Sequence, residues 1–308
     1  MLANFFDKSK PINFIVILFL FFIYFLIALF SSFSATILSL DFLLQQLLVL
    51  GLCLFLFFMF NFVLSKNKLT RDNSYAFLLL VILMGSLHAV FFDIKTLIIN
   101  ILILFFLRKI YSLKTSKSVF EKLFDAGFWI GILFIIEPFF AILGLLLYIA
   151  TYLFQRITFR TILIPVLGFA TPLITFFTYC FWFDKTEDFK LLFSWYTNYN
   201  RTIYFIPKII IPLLLFFTIF LFAFVSKTPK KIAVSGNERK NWIILFFQFL
   251  ITIAILFLLK NRNWSELLLL FFPFAIVISN WLEHFKNNLI NTVLLGVLIV
   301  FPIILAIV

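Results

Sequence analysis

The sequence predicts an all-α fold, a polytopic bundle of transmembrane helices with about eleven spans. Three observations predict it. First, 64% of the 308 residues are hydrophobic, only 12% are charged, and the mean hydropathy is +1.17. A water-soluble chain of this length cannot cover its surface with so few polar groups, so the solvent must be lipid. Second, apolar residues run in unbroken blocks such as Phe14 to Phe30, whereas the strands of a membrane barrel alternate. Lipid offers the backbone no hydrogen bonds, so such blocks must be helices. Third, charged breaks separate these blocks at lengths close to the ~20 residues that a bilayer requires.

Taken in order, the expected spans are 12–33, 42–64, 75–92, 94–107, 121–136, 138–154, 161–183, 207–226, 242–259, 265–282 and 288–308. The first follows Lys8 and Lys10 but is too long for a signal peptide and has no clear cleavage site, so it is expected to be retained. The fourth to sixth are short, with Asp93 and Glu137-Pro138 at tight reversals, and one of them could be re-entrant. With the N-terminus inside, 18 of the 25 Lys and Arg residues fall in inside loops and 7 outside. This follows the positive-inside rule and predicts a cytoplasmic N-terminus and a periplasmic C-terminus in a bacterial inner membrane. The net charge of +12 is then a consequence of topology, and no nucleic-acid partner is expected. No loop is long enough to fold alone, so residues 1–308 read as a single integral membrane domain.

Carboxylates are costly near lipid, so each is a candidate for function. Asp7, Asp72, Glu121, Asp125, Glu238 and Glu283 fall among inside cations and read as solvated charge. The outward acids include Asp41, Asp93 and Glu137, and His88 stands five residues before Asp93. These four are the candidate catalytic residues. Three of them also have a plainer reading: Asp93 as a turn residue beside Lys95, Glu137-Pro138 as a helix boundary, His88 as a packing residue. Arg201 and Arg262 are the candidate substrate-binding residues, because guanidinium suits phosphate or carboxylate. Arg201 lies among Trp195, Tyr196, Tyr199 and Tyr204, which read as an interfacial anchor or as a lid. Cys53 and Cys180 sit in apolar blocks and read as small hydrophobes; no metal spacing, Walker motif, HExxH or GxSxG is present, and no cofactor is indicated. Gln45, Gln46, Asn61, Asn100, Gln248, Ser279 and Asn280 read as hydrogen bonds between helices.

Three short motifs carry a likeness: Asn67-Lys68-Leu69-Thr70-Arg71-Asp72-Asn73-Ser74-Tyr75, Phe106-Leu107-Arg108-Lys109-Ile110, and Lys122-Leu123-Phe124-Asp125-Ala126-Gly127-Phe128-Trp129. Together they resemble an uncharacterised polytopic inner-membrane family of Flavobacteria and other Bacteroidota, over Lys66 to Phe183. That resemblance implies a Gram-negative inner membrane and no assigned activity. More loosely, Phe124-Asp125-Ala126-Gly127, Glu137-Pro138 and Pro165 to Pro172 look like the middle region of polyprenyl-phosphate-sugar-dependent membrane glycosyltransferases. Those enzymes place catalytic carboxylates at the outer ends of early helices, which would implicate Asp41 or Asp93. The chain departs from them in its very short first outer loop, about Ser34 to Asp41.

Two functions are therefore expected to compete. One is an enzyme acting on a polyprenyl- or lipid-linked substrate at the periplasmic face. The other is a non-catalytic membrane subunit or scaffold of an envelope complex. Both make the lipid bilayer a partner, and the second adds membrane-protein partners.

Overall fold

The computed structural model describes residues 2–32, 40–193, 207–234, 236–259, 263–283 and 288–307. The described residues are 87% helical, with no strand among them. Its helices are α1 (Leu2–Phe6), α2 (Pro11–Ser32), α3 (Leu40–Asn67), α4 (Tyr75–Gly85), α5 (Ile94–Ser112), α6 (Val119–Ile136), α7 (Leu143–Leu153), α8 (Phe159–Trp182), α9 (Thr186–Leu191), α10 (Pro207–Ala233), α11 (Asn237–Leu258), α12 (Leu268–Leu282) and α13 (Asn288–Ile307). Short 3₁₀ turns, His88–Phe92, Pro138–Ile142 and Trp264–Leu267, lead into α5, α7 and α12.

Every expected span contains a helix, and among the described residues seven helices are long and apolar enough to cross a membrane. The others fall short for identifiable reasons. Tyr75–Gly85 and Pro138–Leu153 are short. Lys95, Arg108 and Lys109 raise the charge of α5, and Glu121, Lys122 and Asp125 raise that of α6. The sequence pattern missed α1, which buries Ala3 and Phe6 and packs on α13. The chain groups into two compact units, one of Met1–Ile98, Tyr204–Ala233 and Asn263–Val308, the other of Ile99–Ile203 and Val234–Arg262.

The first unit is built around α4 and α12. Every residue of α4 is buried, and 83% of the apolar window Trp264–Leu282 is buried against 28% for Pro11–Ser31. Helices α2, α3, α10 and α13 pack around this pair. Phenylalanine makes the joints: Phe14 on Phe77, Phe60 on Phe272 and Phe220 on Phe274, with centroids 4.8, 5.4 and 4.6 Å apart. Such ring pairs add to the packing that replaces the hydrophobic effect as the force between helices in lipid. A hydrogen bond from the Tyr24 hydroxyl to the Ile299 carbonyl, 2.7 Å, joins α2 to α13.

The second unit is organised by the seam of α6 and α8. Gly127 and Gly131, four apart on α6, face the backbone of α8 at Pro165 and Phe169, and Gly168 faces the backbone at Phe124. A Cβ at Gly127 would lie 2.1 Å from the Pro165 carbonyl oxygen, so only glycine permits this approach. Phe105 stacks on Trp129 at 4.7 Å, and Lys109 pairs with Asp125, so α5 is joined to α6 twice. Tyr111 donates to Gln248 at 3.1 Å, tying α5 to α11. Gln248 thus bonds between helices as expected, whereas Asn280 reaches the Leu69 carbonyl in the loop after α3 and the Ile276 carbonyl of its own helix.

Candidate functional site

In the first unit the strongest polar constellation forms where the turn His88–Phe92 meets the turn Trp264–Leu267. Asp93 follows the first turn and caps α5. Its Oδ1 accepts the Thr96 N–H at 3.0 Å, and its Oδ2 accepts the Thr96 hydroxyl at 2.8 Å. This is the side-chain cap expected of Asp ahead of a helix, satisfying an N–H that the first turn leaves without an intrahelical partner. The same Oδ2 accepts a hydrogen bond from Ser265, whose hydroxyl also lies 3.4 Å from that of Thr96. Ser265 and Thr96 are buried, and Asp93 is half-buried.

Burial pushes the Asp93 carboxyl up, but the bonds from Ser265 and Thr96 and the charge of Lys95 outweigh it and hold the carboxyl below its ordinary value of 3.8. A group depressed on folding adds stability that is full above its unfolded value and lost as pH falls through the folded one. The acid limb of wild-type unfolding is therefore expected to weaken in Asp93→Asn, a difference readable in melting curves taken below pH 4. A depressed carboxyl is also a weaker general base.

The other expected site residues are placed as follows. His88 opens its 3₁₀ turn and is half-buried; Phe91 of the same turn packs on Phe21 and Phe25 of α2, at 6.0 and 5.6 Å. Asp41 is exposed in the first turn of α3, where an acid complements the helix dipole. Glu137 belongs to the second unit. It sits in extended backbone (φ −154°, ψ 112°) between α6 and the turn Pro138–Ile142. Its N–H closes α6 on the Leu133 carbonyl at 2.9 Å, and its carbonyl accepts Phe140 at 3.2 Å. Arg201 and Arg262, with the Trp195 to Tyr204 stretch, lie outside the described residues.

The far end of the α4–α12 pair holds a second carboxylate, and here the sequence reading needs correction. Glu283 reads in sequence as solvated charge among cations, but its side chain is only 2% exposed. It follows α12 and accepts the Arg71 N–H at 3.0 Å and the Asn73 amide at 2.7 Å on one oxygen. Its other oxygen is 3.9 Å from the Arg71 guanidinium, which is itself largely exposed. Burial raises its carboxyl above the ordinary 4.5, although Asn73, Arg71 and Lys231 pull the other way. Asn280 reaches the Leu69 carbonyl at 3.0 Å, Ser74 N–H reaches Phe6 at 3.0 Å, and the Tyr75 hydroxyl reaches Ala3 at 2.7 Å. So the N-terminal segment, the 69–75 loop and the end of α12 meet at one end of the unit.

Each of the three sequence motifs takes part in such fastening. The first supplies Arg71, Asn73 and Tyr75; the second supplies Lys109, which pairs with Asp125 of the third. Lys122 donates to the carbonyls of Ser112 and Thr115, at 2.9 and 3.3 Å, and so caps the last turn of α5. Among the described residues no group of three or more His, Cys, Asp or Glu could hold a metal ion.

Fold and contacts together define a helical membrane protein whose core helices are closed at both ends by hydrogen-bonded carboxylates. The chain belongs to a family of unknown function, DUF6427, whose profile matches residues 1–307. No curated protein matches it. No solved structure matches it either.

Proposed function

We propose that the protein is a non-catalytic integral component of a bacterial inner membrane, a subunit or scaffold of an envelope complex. In this reading the N-terminus is cytoplasmic and Asp93 lies near the periplasmic face, as the positive-inside rule favours. The observation that carries the reading is that both Asp93 oxygens are engaged, capping α5 and tying it to the turn before α12. A carboxylate so held, and depressed by those bonds, is suited to fixing helices and poorly suited to taking a proton from an acceptor. Glu137 likewise serves its reversal through its backbone.

Catalysis on a polyprenyl- or lipid-linked substrate at the periplasmic face is the second reading. It is favoured by the half-buried placement of Asp93 beside two hydroxyls, which keeps an anion within reach of an acceptor. Arg201 and Arg262 would then hold a lipid phosphate.

Complementation of a deletion strain separates the two. Under the first reading Glu137→Gln, Arg201→Gln and Arg262→Gln each restore the phenotype, and mild crosslinking captures membrane-protein partners. Loss of complementation by any of these three at normal protein abundance, with recovery as a lone monomer, would establish the enzyme instead.

A further inference from the structure

The N-terminal segment of the first unit is too short to stand alone. α1 has five residues, and one turn of hydrogen bonds does not repay the cost of nucleating a helix. Its form therefore depends on where it docks. It is not a continuation of α2 either. Pro11 opens α2, and the residue before a proline is turned away from helical backbone, which makes Lys10 a joint. Asp7, Lys8, Ser9 and Lys10 are all exposed, so no side chain packs this joint in place.

The docking is specific. Ala3 and Phe6, three apart and hence on one face of the turn, are both buried. The Ala3 N–H donates to the Thr292 hydroxyl of α13 at 3.3 Å, and the Ala3 carbonyl accepts the Tyr75 hydroxyl at 2.7 Å. The Ser74 N–H donates to the Phe6 carbonyl at 3.0 Å. The buried Asn13 amide of α2 donates to the carbonyls of Phe5 and Lys8, at 2.7 and 2.6 Å. The Ser9 N–H reaches the Asp72 carbonyl at 3.3 Å. Three elements thus grip the main chain of this segment: α2, the stretch 72–75 and α13. Only two of its side chains leave buried positions if it lifts away, and no spanning helix has to move.

We infer that residues 2–9 form a detachable strap. They close as one piece over the groove between α2, the stretch 72–75 and α13, and they open as one piece while the spans stay folded. Opening bares the Asn13 amide, the Tyr75 hydroxyl, the Ser74 N–H and the Thr292 hydroxyl beside the sockets of Ala3 and Phe6. Such a surface is matched to one helical turn with a small residue and a phenylalanine three places on. Both readings of the function are compatible with the strap, because no candidate catalytic group takes part in it.

Hydrogen exchange of the full chain in detergent, resolved to single amides, tests it. The N–H groups of Ala3, Ser9 and Ser74 are bonded across the strap and not within a helix, so they are expected to share one opening and show comparable protection. That protection is expected to be at least about tenfold below that of Leu78 to Met84 in buried α4. Phe6→Ala removes the apolar anchor and is expected to speed exchange at all three by about tenfold or more, with Leu78 to Met84 as in wild type. Thr292→Val removes the acceptor of the Ala3 N–H with little change of shape. It is expected to act in the same direction by roughly a few-fold, and it carries the test if Phe6→Ala does not fold. Unchanged exchange at Ser74 in both variants overturns the proposal, because the strap would then not be what covers it. Loss of protection in α4 together with the strap overturns it as well, because the segment would then be an inseparable part of the fold.

Discussion

Gly127→Ala is expected to unfold the α6–α8 seam. Two effects of that substitution oppose each other. Alanine improves helix propensity by about 1 kcal/mol over glycine. Against this, the new Cβ would sit 2.1 Å from the Pro165 carbonyl oxygen, a backbone atom that cannot rotate away. Overpacking typically costs about 1–3 kcal/mol, and a contact with backbone at this distance belongs at or above the top of that range. The clash wins, and a net loss of roughly 2 kcal/mol or more is expected. Gly168→Ala should behave alike, its Cβ meeting the Phe124 carbonyl at 2.2 Å. Gly51→Ala is the internal control, with nothing within 4 Å, and should be neutral or slightly stabilising. Melting of the three purified variants checks the order, and equal behaviour of Gly127→Ala and Gly51→Ala would refute the close approach.

The second large effect is expected at Glu283, and its two substitutions should part company. Glu283→Ala strips the acceptor from the Arg71 N–H and the Asn73 amide and removes the carboxylate that faces the Arg71 guanidinium. Hydrogen bonds to a charged group contribute about 1.5–3 kcal/mol each, and water can replace part of this at the exposed Arg71, so a loss of roughly 2–3 kcal/mol is expected. Glu283→Gln keeps a carbonyl oxygen in the same place and removes the burial cost of the charge. It should therefore match wild type at neutral pH. The pH dependence separates them further. The folded carboxyl is raised, so its contribution is full below the ordinary 4.5 and lost as pH rises through the folded value. Wild type should lose stability across that limb, and Glu283→Gln should not, which denaturation at a series of pH values will show.

The helices were legible because the signal was strong and local. Unbroken apolar blocks allow no other backbone solution in lipid. Even the buried core helix left a trace: Trp264–Leu282 has a mean hydropathy of 1.7, against 3.0 for the more exposed Pro11–Ser31. Its Ser279 and Asn280 are tolerable only where protein surrounds them. Asp93 was legible as an acid at a tight reversal. Its partner Ser265 was not, since the two are 172 residues apart and no local pattern links a serine to a distant carboxylate. Glu283 was misread because a single acid among many cations looks solvated when only sequence is seen. The Gly127 and Gly131 pair carried a usable signal, small residues four apart in an apolar span, which explains a motif otherwise recognisable only by resemblance.

That Asp93 is architectural is the central claim, and a double-mutant cycle tests it most directly. Melting of wild type, Asp93→Asn, Ser265→Ala and the double variant gives the coupling between the two side chains. A coupling of about 1–2 kcal/mol is predicted, with both single variants less stable than wild type. Zero coupling with an unchanged melting point in Asp93→Asn would contradict the account, and the carboxylate would then have to be kept for chemistry.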